Sequence, residues 1–375
     1  MRHYLRHLDY LLIATAVSIS AFGLWIIKNS TASVPGNLYA HQLLYDVVGA
    51  AGMLIVAAVP PSFVRRMLWP LYGFVILSCT AVLAVGVSVL GGQRWISLGP
   101  FQFQPSEFSK LLLTVGLAAL LAGYRNRLSP GWLTLAGLAF VGLPALLVFK
   151  EPDLGTTLVL LAMLLGVLFV YGASWRHFAA MGLTVVVVAT MALSILPSAG
   201  IHVVPQYQID RFTSFLQPTS TQFGTAGYQL EHSKLAIQHG GVTGTGPAGA
   251  TETRLGYVPV FWTDFIFAVV GEERGFVGAA WLLGLYALML WRGLKLITYS
   301  RSTFGSLVAA GVVSILTFQV FVNVGMTIGL APITGIPLPF MSYGGSSTVT
   351  NFLAVGVLLA IHVHAQQGDE GVVAL

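Results

Sequence analysis

Hydrophobic runs long enough to cross a bilayer recur along nearly the whole chain, and no other property restricts its fold as much. A spanning helix needs roughly 20 mostly apolar residues, and about ten such runs can be placed. They lie near 9–28, 41–59, 67–90, 105–122, 131–149, 154–172, 177–196, 264–291, 304–330 and 346–365. With 56% hydrophobic and only 8% charged residues, a water-soluble fold of 375 residues would be left with more apolar surface than it can cover. The expectation is an all-α polytopic membrane protein, one domain over 1–375, with a large extracytoplasmic loop, about 197–263, between helices 7 and 8. The first run is too long for a signal-peptide core and lacks a small-residue cleavage site, so it is read as a retained span.

Basic residues orient this bundle. An even number of spans puts both termini on one side. Arg2, Arg6, Arg65, Arg66, Arg125, Arg127, Arg176, Arg292, Lys295 and Arg301 all fall at the N-terminus or in even-numbered connections, which makes those cytoplasmic. The other eight of the 18 Lys and Arg residues, namely Lys28, Arg94, Lys110, Lys150, Arg211, Lys234, Arg254 and Arg274, lie on or just within the outer side. Most of them sit in polar, Gly- and Pro-containing motifs and read as a binding set on the functional face.

Orientation in the membrane accounts for the net charge of +5, and no basic stripe with interleaved aromatics marks a nucleic-acid surface. The single cysteine, Cys79, falls within the third run, so no disulfide framework or thiolate metal site is expected. Walker-type loops, His-Glu-x-x-His pairs and nucleotide fingerprints do not occur, which leaves ATP-driven transport and zinc hydrolysis without support.

Chemistry concentrates where polar stretches meet apolar ones. Asp264, in Phe261-Trp262-Thr263-Asp264-Phe265-Ile266-Phe267, is a lone carboxylate at the edge of hydrocarbon, where a bare charge is expensive and usually pairs or reacts. Pro105 opens a helix in which Glu107 and Lys110 are three residues apart on one face, close enough to pair. Such a pair serves as a structural bridge, as part of a substrate site, or as both. In Lys150-Glu151-Pro152-Asp153, Asp153 either complements a helix N-terminus or faces a cavity with Lys150 and Arg94. Around Pro332, Pro337, Pro339 and Gly344-Gly345, ordinary helix is impossible, and irregular backbone at membrane depth must line a cavity or be buried in protein. Its amides and hydroxyls, including Ser342 and Ser346, suit sugar or phosphate oxygens. Within the long loop, 226–237 has helical spacing and reads as a short interfacial helix ending at Gly240-Gly241. The glycine-rich run 241–249 is either a linker or a place where backbone approaches a ligand.

Five motifs in order give the chain a resemblance to the SEDS family (shape, elongation, division and sporulation). They are Arg94-Trp95-Ile96 through Gln104-Pro105-Ser106-Glu107, Lys150 through Thr156, Gly227-Tyr228-Gln229, Thr263-Asp264-Phe265-Ile266-Phe267 with Glu272-Glu273, and Pro337 through Ser347. The resemblance implies a peptidoglycan glycosyltransferase that polymerises lipid II onto a growing polyprenyl-linked glycan chain. It would work on the outer face of the bacterial cytoplasmic membrane, surrounded by membrane lipids. It also implies Asp264 as catalytic residue, with Arg94, Glu107, Lys110, Lys150, Asp153, Gln229, Lys234, Thr263, Ser342, Gly344, Gly345 and Ser346 as the substrate-binding set. A class B penicillin-binding protein is the implied transpeptidase partner, and short tails favour the elongation-type branch over the division type. No carboxylate cluster marks a cofactor site, and a divalent cation, Mg2+ or Mn2+, enters only as an optional aid to the pyrophosphate. Two places depart from the family pattern. Val260-Phe261-Trp262 stand where an acid and an imidazole are usual, and Pro247 interrupts the glycine run. A lipid-linked precursor flippase and a non-catalytic scaffold for a cell-wall synthase are the alternative readings.

Overall fold

A computed structural model of the chain describes residues 7–31, 34, 36–89, 92–98, 101–191, 209, 211, 215 and 225–373. Helices α1 (Tyr10–Ser30), α2 (Leu38–Ala57), α3 (Pro61–Arg66) and α4 (Leu68–Val85) come first. Three short antiparallel strands follow, β1 (Val87–Val89), β2 (Gly92–Leu98) and β3 (Phe101–Phe103), in spatial order β1-β2-β3. Next are α5 (Pro105–Tyr124), α6 (Pro130–Lys150), α7 (Leu154–Tyr171) and α8 (Trp175–Thr190). Beyond them lie α9 (Ala226–Gly240), α10 (Gly246–Gly249), α11 (Thr251–Arg254), α12 (Ile266–Tyr299), α13 (Thr303–Thr327) and α14 (Gly345–Val373).

Local chemistry sets these boundaries. Asp9, Asn37, Ser129, Asp153, Thr225 and Ser302 each accept a hydrogen bond from a first-turn backbone N–H of the helix they precede. Pro105 and Pro130 open α5 and α6, where a missing N–H costs nothing. Gly172, at φ 89°, stops α7 in the left-handed conformation.

Nine helices among the described residues are long and apolar enough to cross a membrane: α1, α2, α4 to α7 and α12 to α14. The expected seventh span, 177–196, is the shorter α8, and residues 192–196 lie outside the described residues, as does most of the long loop between 197 and 224. The helical bundle also carries a small sheet. Trp95 pairs with Val87, and Ile96 with Phe103, folding the Arg94 motif into a ribbon rather than a plain loop.

Burial sorts the spans into a centre and a rim. In α5, α13 and α14, 78, 72 and 67% of the apolar window is buried, against 44% or less in the others. Small residues bring the helices close, as membrane packing requires. Gly311 of α13 lies against Thr114 of α5, Gly166 of α7 against Ser314 of α13, and Gly356 of α14 against the Met53 backbone of α2. At one end, Arg65 lies over Gly123, Arg125 bonds Thr303 Oγ1 and Arg292 pairs with Asp9 at 2.6 Å. Asp264 lies at the other end.

The expected 264–291 span is a broken helix. The 34 residues of α12 are more than the roughly 20 that a single crossing needs. The break falls at Gly275, whose φ of 63° no helix contains. Residues 241–245 fill it: Gly241 and Val242 carbonyls accept from the Phe276 and Val277 amides, and the Thr245 amide donates to the Glu272 carbonyl. The first half of the glycine run is therefore not a free linker but packed backbone that satisfies a helix break. The expected interfacial helix, α9, likewise packs onto the bundle, burying Gly227, Leu230, Ser233, Ala236 and Gly240. Ser233 Oγ donates to the Thr327 carbonyl of α13 at 2.9 Å.

A side chain at Gly244 (φ 84°) would meet the Glu273 carbonyl and the Arg274 backbone, whereas one at Gly246 (φ 72°) would meet nothing within 4 Å. Gly244→Ala should therefore destabilise by about 3 kcal/mol, from overpacking added to left-handed strain, and Gly246→Ala by only about 1 kcal/mol from strain alone. Thermal unfolding in detergent checks this, and equal unfolding temperatures for the two variants would refute the docking.

Candidate active site

Asp264 is set by a turn held from two directions. The segment Phe261–Phe265 bends back on itself, with Thr263 Oγ1 donating to the Val260 carbonyl at 2.9 Å. From α13, the buried Asn323 amide donates both to the Asp264 carbonyl and to the Ile336 carbonyl, each at 2.8 Å. From the proline-rich segment before α14, Ser342 Oγ donates to the Thr263 carbonyl at 2.5 Å and the Tyr343 amide to the Trp262 carbonyl at 2.8 Å. Every carbonyl from Trp262 to Asp264 is thus fixed by an element distant in sequence. Asp264 as a residue is only partly buried.

Gly335 borders that carboxyl. The position of a Cβ on Gly335 is 3.4 Å from Asp264 Oδ2 and 3.3 Å from an Arg211 guanidinium nitrogen, so the missing side chain is what leaves room for both. Burial pushes the Asp264 carboxyl above the usual carboxylate range; Arg211 and then Arg94 pull it down, while Asp153 pushes it up. Burial prevails.

Arg94 on β2 reaches the 150–153 turn, donating to the Pro152 carbonyl and facing Asp153 at 3.7 Å. Its Nε has no hydrogen-bond partner among the described residues. Asp153 is fully engaged as the α7 cap: its oxygens accept from the Thr156 amide and hydroxyl, Ser106 Oγ and the Gln104 amide. Glu151, in the same turn, is wholly buried and faces the Cys79 thiol of α4. Burial, reinforced by the Asp153 charge, pushes the Glu151 carboxyl up to about 8.

The remaining sequence-predicted residues divide into three groups. Glu107 and Lys110 form the expected pair, with Nζ 2.9 and 2.8 Å from the two carboxylate oxygens and side chains 2 to 3% exposed. Ser342, Gly344 and Ser346 spend their polar atoms on protein: Leu338 N to Ser342 Oγ, Gly344 N to Gln42 Oε1, and Gln104 N to Ser346 Oγ. They shape the segment instead of presenting free donors, and Gly345 opens α14 beside them. Lys150 is exposed at the end of α6, Gln229 is half-buried on α9, and the half-buried Lys234 lies along Gly329. The structure brings Asp264, Thr263, Arg94 and Asp153 together and leaves Lys150 at the surface.

Asn323 and Glu151 were not singled out as site residues from sequence, and Arg211 was read only as one of the outer basic set. A polar amide inside the apolar run 304–330 was the available signal for Asn323. Glu272 is another: its carboxylate accepts from the Glu252 and Thr253 amides at 2.8 and 3.0 Å, tying α11 to α12. Among the described residues, no group of three or more His, Cys, Asp or Glu is placed to hold a metal ion.

Known proteins resemble this chain along nearly its whole length. The peptidoglycan glycosyltransferase MrdB of Escherichia coli is 35% identical over 369 residues, covering 98% of this chain and 96% of that one. A chain from a peptidoglycan synthase complex that coordinates polymerization and crosslinking superposes with a TM-score of 0.78 at 30% identity, over 96% of this chain and 99% of that chain. The rod shape determining protein RodA of Thermus thermophilus does so at 0.69 and 28% identity, over 95 and 96%. Residues 4–367 match the FtsW/RodA/SpoVE family, described as cell cycle protein, and the chain belongs to this multi-pass membrane family, the SEDS proteins.

Proposed function

We propose that this protein is a peptidoglycan glycosyltransferase that polymerises lipid II. The observation that carries the reading is Asp264, a partly buried residue fixed in a rigid turn at the end of the bundle opposite Arg65, Arg125 and Arg292. That basic end is cytoplasmic by the positive-inside rule, so both termini lie inside and Asp264 faces outward, where lipid-linked disaccharide units are joined.

In the reaction, the 4-hydroxyl of the acceptor sugar attacks the anomeric carbon of the growing chain. Asp264, as general base, takes the hydroxyl proton; the new glycosidic bond forms with inversion as the bond to the polyprenyl pyrophosphate breaks. Negative charge grows on the departing pyrophosphate. Arg94 and Arg211, whose charges both act on the Asp264 carboxyl, are candidates to receive it, with Lys150, Lys234 and Lys110, the last held in its pair with Glu107. Asp153 orients Arg94, Gln229 lines the α9 side, and Thr263, Ser342, Gly344, Gly345 and Ser346 hold the backbone around the base. A resident Mg2+ or Mn2+ has no ligand set among the described residues, and no step is routed through one.

A class B penicillin-binding protein is the proposed partner, a reading supported by the likeness to a chain from a peptidoglycan synthase complex that coordinates polymerization and crosslinking. The elongation-type branch fits best, given the near end-to-end match to the rod shape determining protein. The test is polymerisation of purified lipid II by the protein with its partner, read as product length on a gel. Long strands are expected, and their absence from a folded complex would shift the reading to a flippase or a scaffold.

A further inference from the structure

A second ionisable group lies inside the membrane part of the bundle, away from the reaction. Asp46, on α2, is two turns from the Leu38 end, about 12 Å along the helix. It is 8% exposed, next to buried but uncharged polar side chains such as Ser20, Gln42 and Thr348. No basic side chain pairs with it among the described residues. An ionisable residue at such a depth is expensive to keep and calls for a role.

Its hydrogen bonds lead toward Asp264. Asp46 Oδ1 accepts from Gln42 Nε2 at 3.0 Å, and Ser20 of α1 faces the same carboxyl. Gln42, 1% exposed, also donates to Thr348 Oγ1 on α14 at 2.9 Å, and its Oε1 accepts from the Gly344 amide at 3.1 Å. Gln42 therefore closes the junction where irregular backbone becomes α14. The two residues before that junction are the ones that hold the site: the Tyr343 amide binds the Trp262 carbonyl, and Ser342 Oγ binds the Thr263 carbonyl. Tyr45, beside Asp46 in sequence, packs its ring on Tyr343 at 6.2 Å.

We infer that Gln42 and Asp46 form an intramembrane brace that positions the Asp264 turn for glycosyl transfer. Asp46 fixes the Gln42 amide in the one orientation that offers Nε2 to Thr348 and Oε1 to Gly344. Gln42 in turn fixes residues 342–344, which grip Trp262 and Thr263. Both are positioning residues and neither touches substrate. A general base displaced by a fraction of an ångström loses much of its rate without losing substrate, so the brace acts on kcat more than on KM.

The inference rests on the polymerase reading for its kinetic arm only. In the complex with its partner, Asp46→Leu and Gln42→Leu should lower kcat about 10- to 100-fold with KM changed by less than about twofold. Asp46→Asn should recover most of the rate, because an amide oxygen still accepts from Gln42. Independently of activity, hydrogen exchange in the peptide spanning Leu338 to Gly345 should speed up in Gln42→Leu. That arm survives even if the chain proves not to polymerise lipid II. Unchanged exchange, wild-type kcat in a folded Gln42→Leu, or an Asp46→Asn variant as impaired as Asp46→Leu would each overturn the brace. The last of these would assign the role to charge instead of to a hydrogen-bond acceptor.

Discussion

Asp264→Asn should reduce polymerisation by about 10²- to 10⁴-fold, the range that a positioned general base contributes. Asparagine keeps the shape of the side chain, and the turn is held through backbone carbonyls by Asn323, Ser342 and Tyr343, so the site should stay assembled. What disappears is the proton acceptor. A pH profile separates this from a structural loss. Burial raises the Asp264 carboxyl above its usual range, so wild-type activity should fall as pH drops through that raised value, with an acid limb displaced upward from an ordinary carboxylate. The stability sign follows by linkage. An acid whose pKa is raised in the folded state binds its proton more tightly there, so ionised Asp264 works against folding at neutral pH. Asp264→Asn should accordingly unfold at the wild-type temperature or slightly above it. Equal strand length from variant and wild type would remove Asp264 from the chemistry, and an unfolded variant would give it a structural role.

The parts of this architecture legible in the sequence are those written in one dimension. A run of about 20 apolar residues, a capping Asp or Ser and a proline at the first helical turn all act locally, and the nine long helices follow from them. Glu107 and Lys110 were legible for the same reason, since three-residue spacing on a helix is contact. The break in α12 was not. Gly275 sits in an amphipathic stretch like many helix glycines, and only the distant backbone of 241–245 makes the break affordable. The ribbon at 87–103 carried its own signals in the paired glycines at Gly91-Gly92 and the Gly99-Pro100 dipeptide, but its strands are too short to compete with the surrounding apolar pattern. The surroundings of the site residues are hard to read for a different reason. Sequence identifies a hydroxyl or an amide but not where it is spent, so Ser342, Gly344 and Ser346 read as free donors when each satisfies another part of the chain. Asp264 stood out because a lone carboxylate at a hydrocarbon edge is informative wherever its neighbours lie.

The Glu107–Lys110 pair should show the largest stability effect of any single substitution. Both charges are enclosed, and the two Nζ bonds at 2.8 and 2.9 Å occupy both carboxylate oxygens. Lys110→Met leaves a buried carboxylate without a counter-charge, and Glu107→Leu leaves a buried ammonium. Each should destabilise by about 3 to 5 kcal/mol. Removing both charges together takes away the desolvation penalty along with the attraction, so Glu107→Leu with Lys110→Met should be far more stable than either single variant. The difference is a favourable coupling that a double-mutant cycle measures directly. Simple additivity would mean that the two side chains do not depend on one another. The folded double variant then answers a chemical question that the single variants cannot. If it polymerises lipid II, the pair belongs to the frame of the bundle. If it is folded but inactive, the pair serves the reaction as well as the fold.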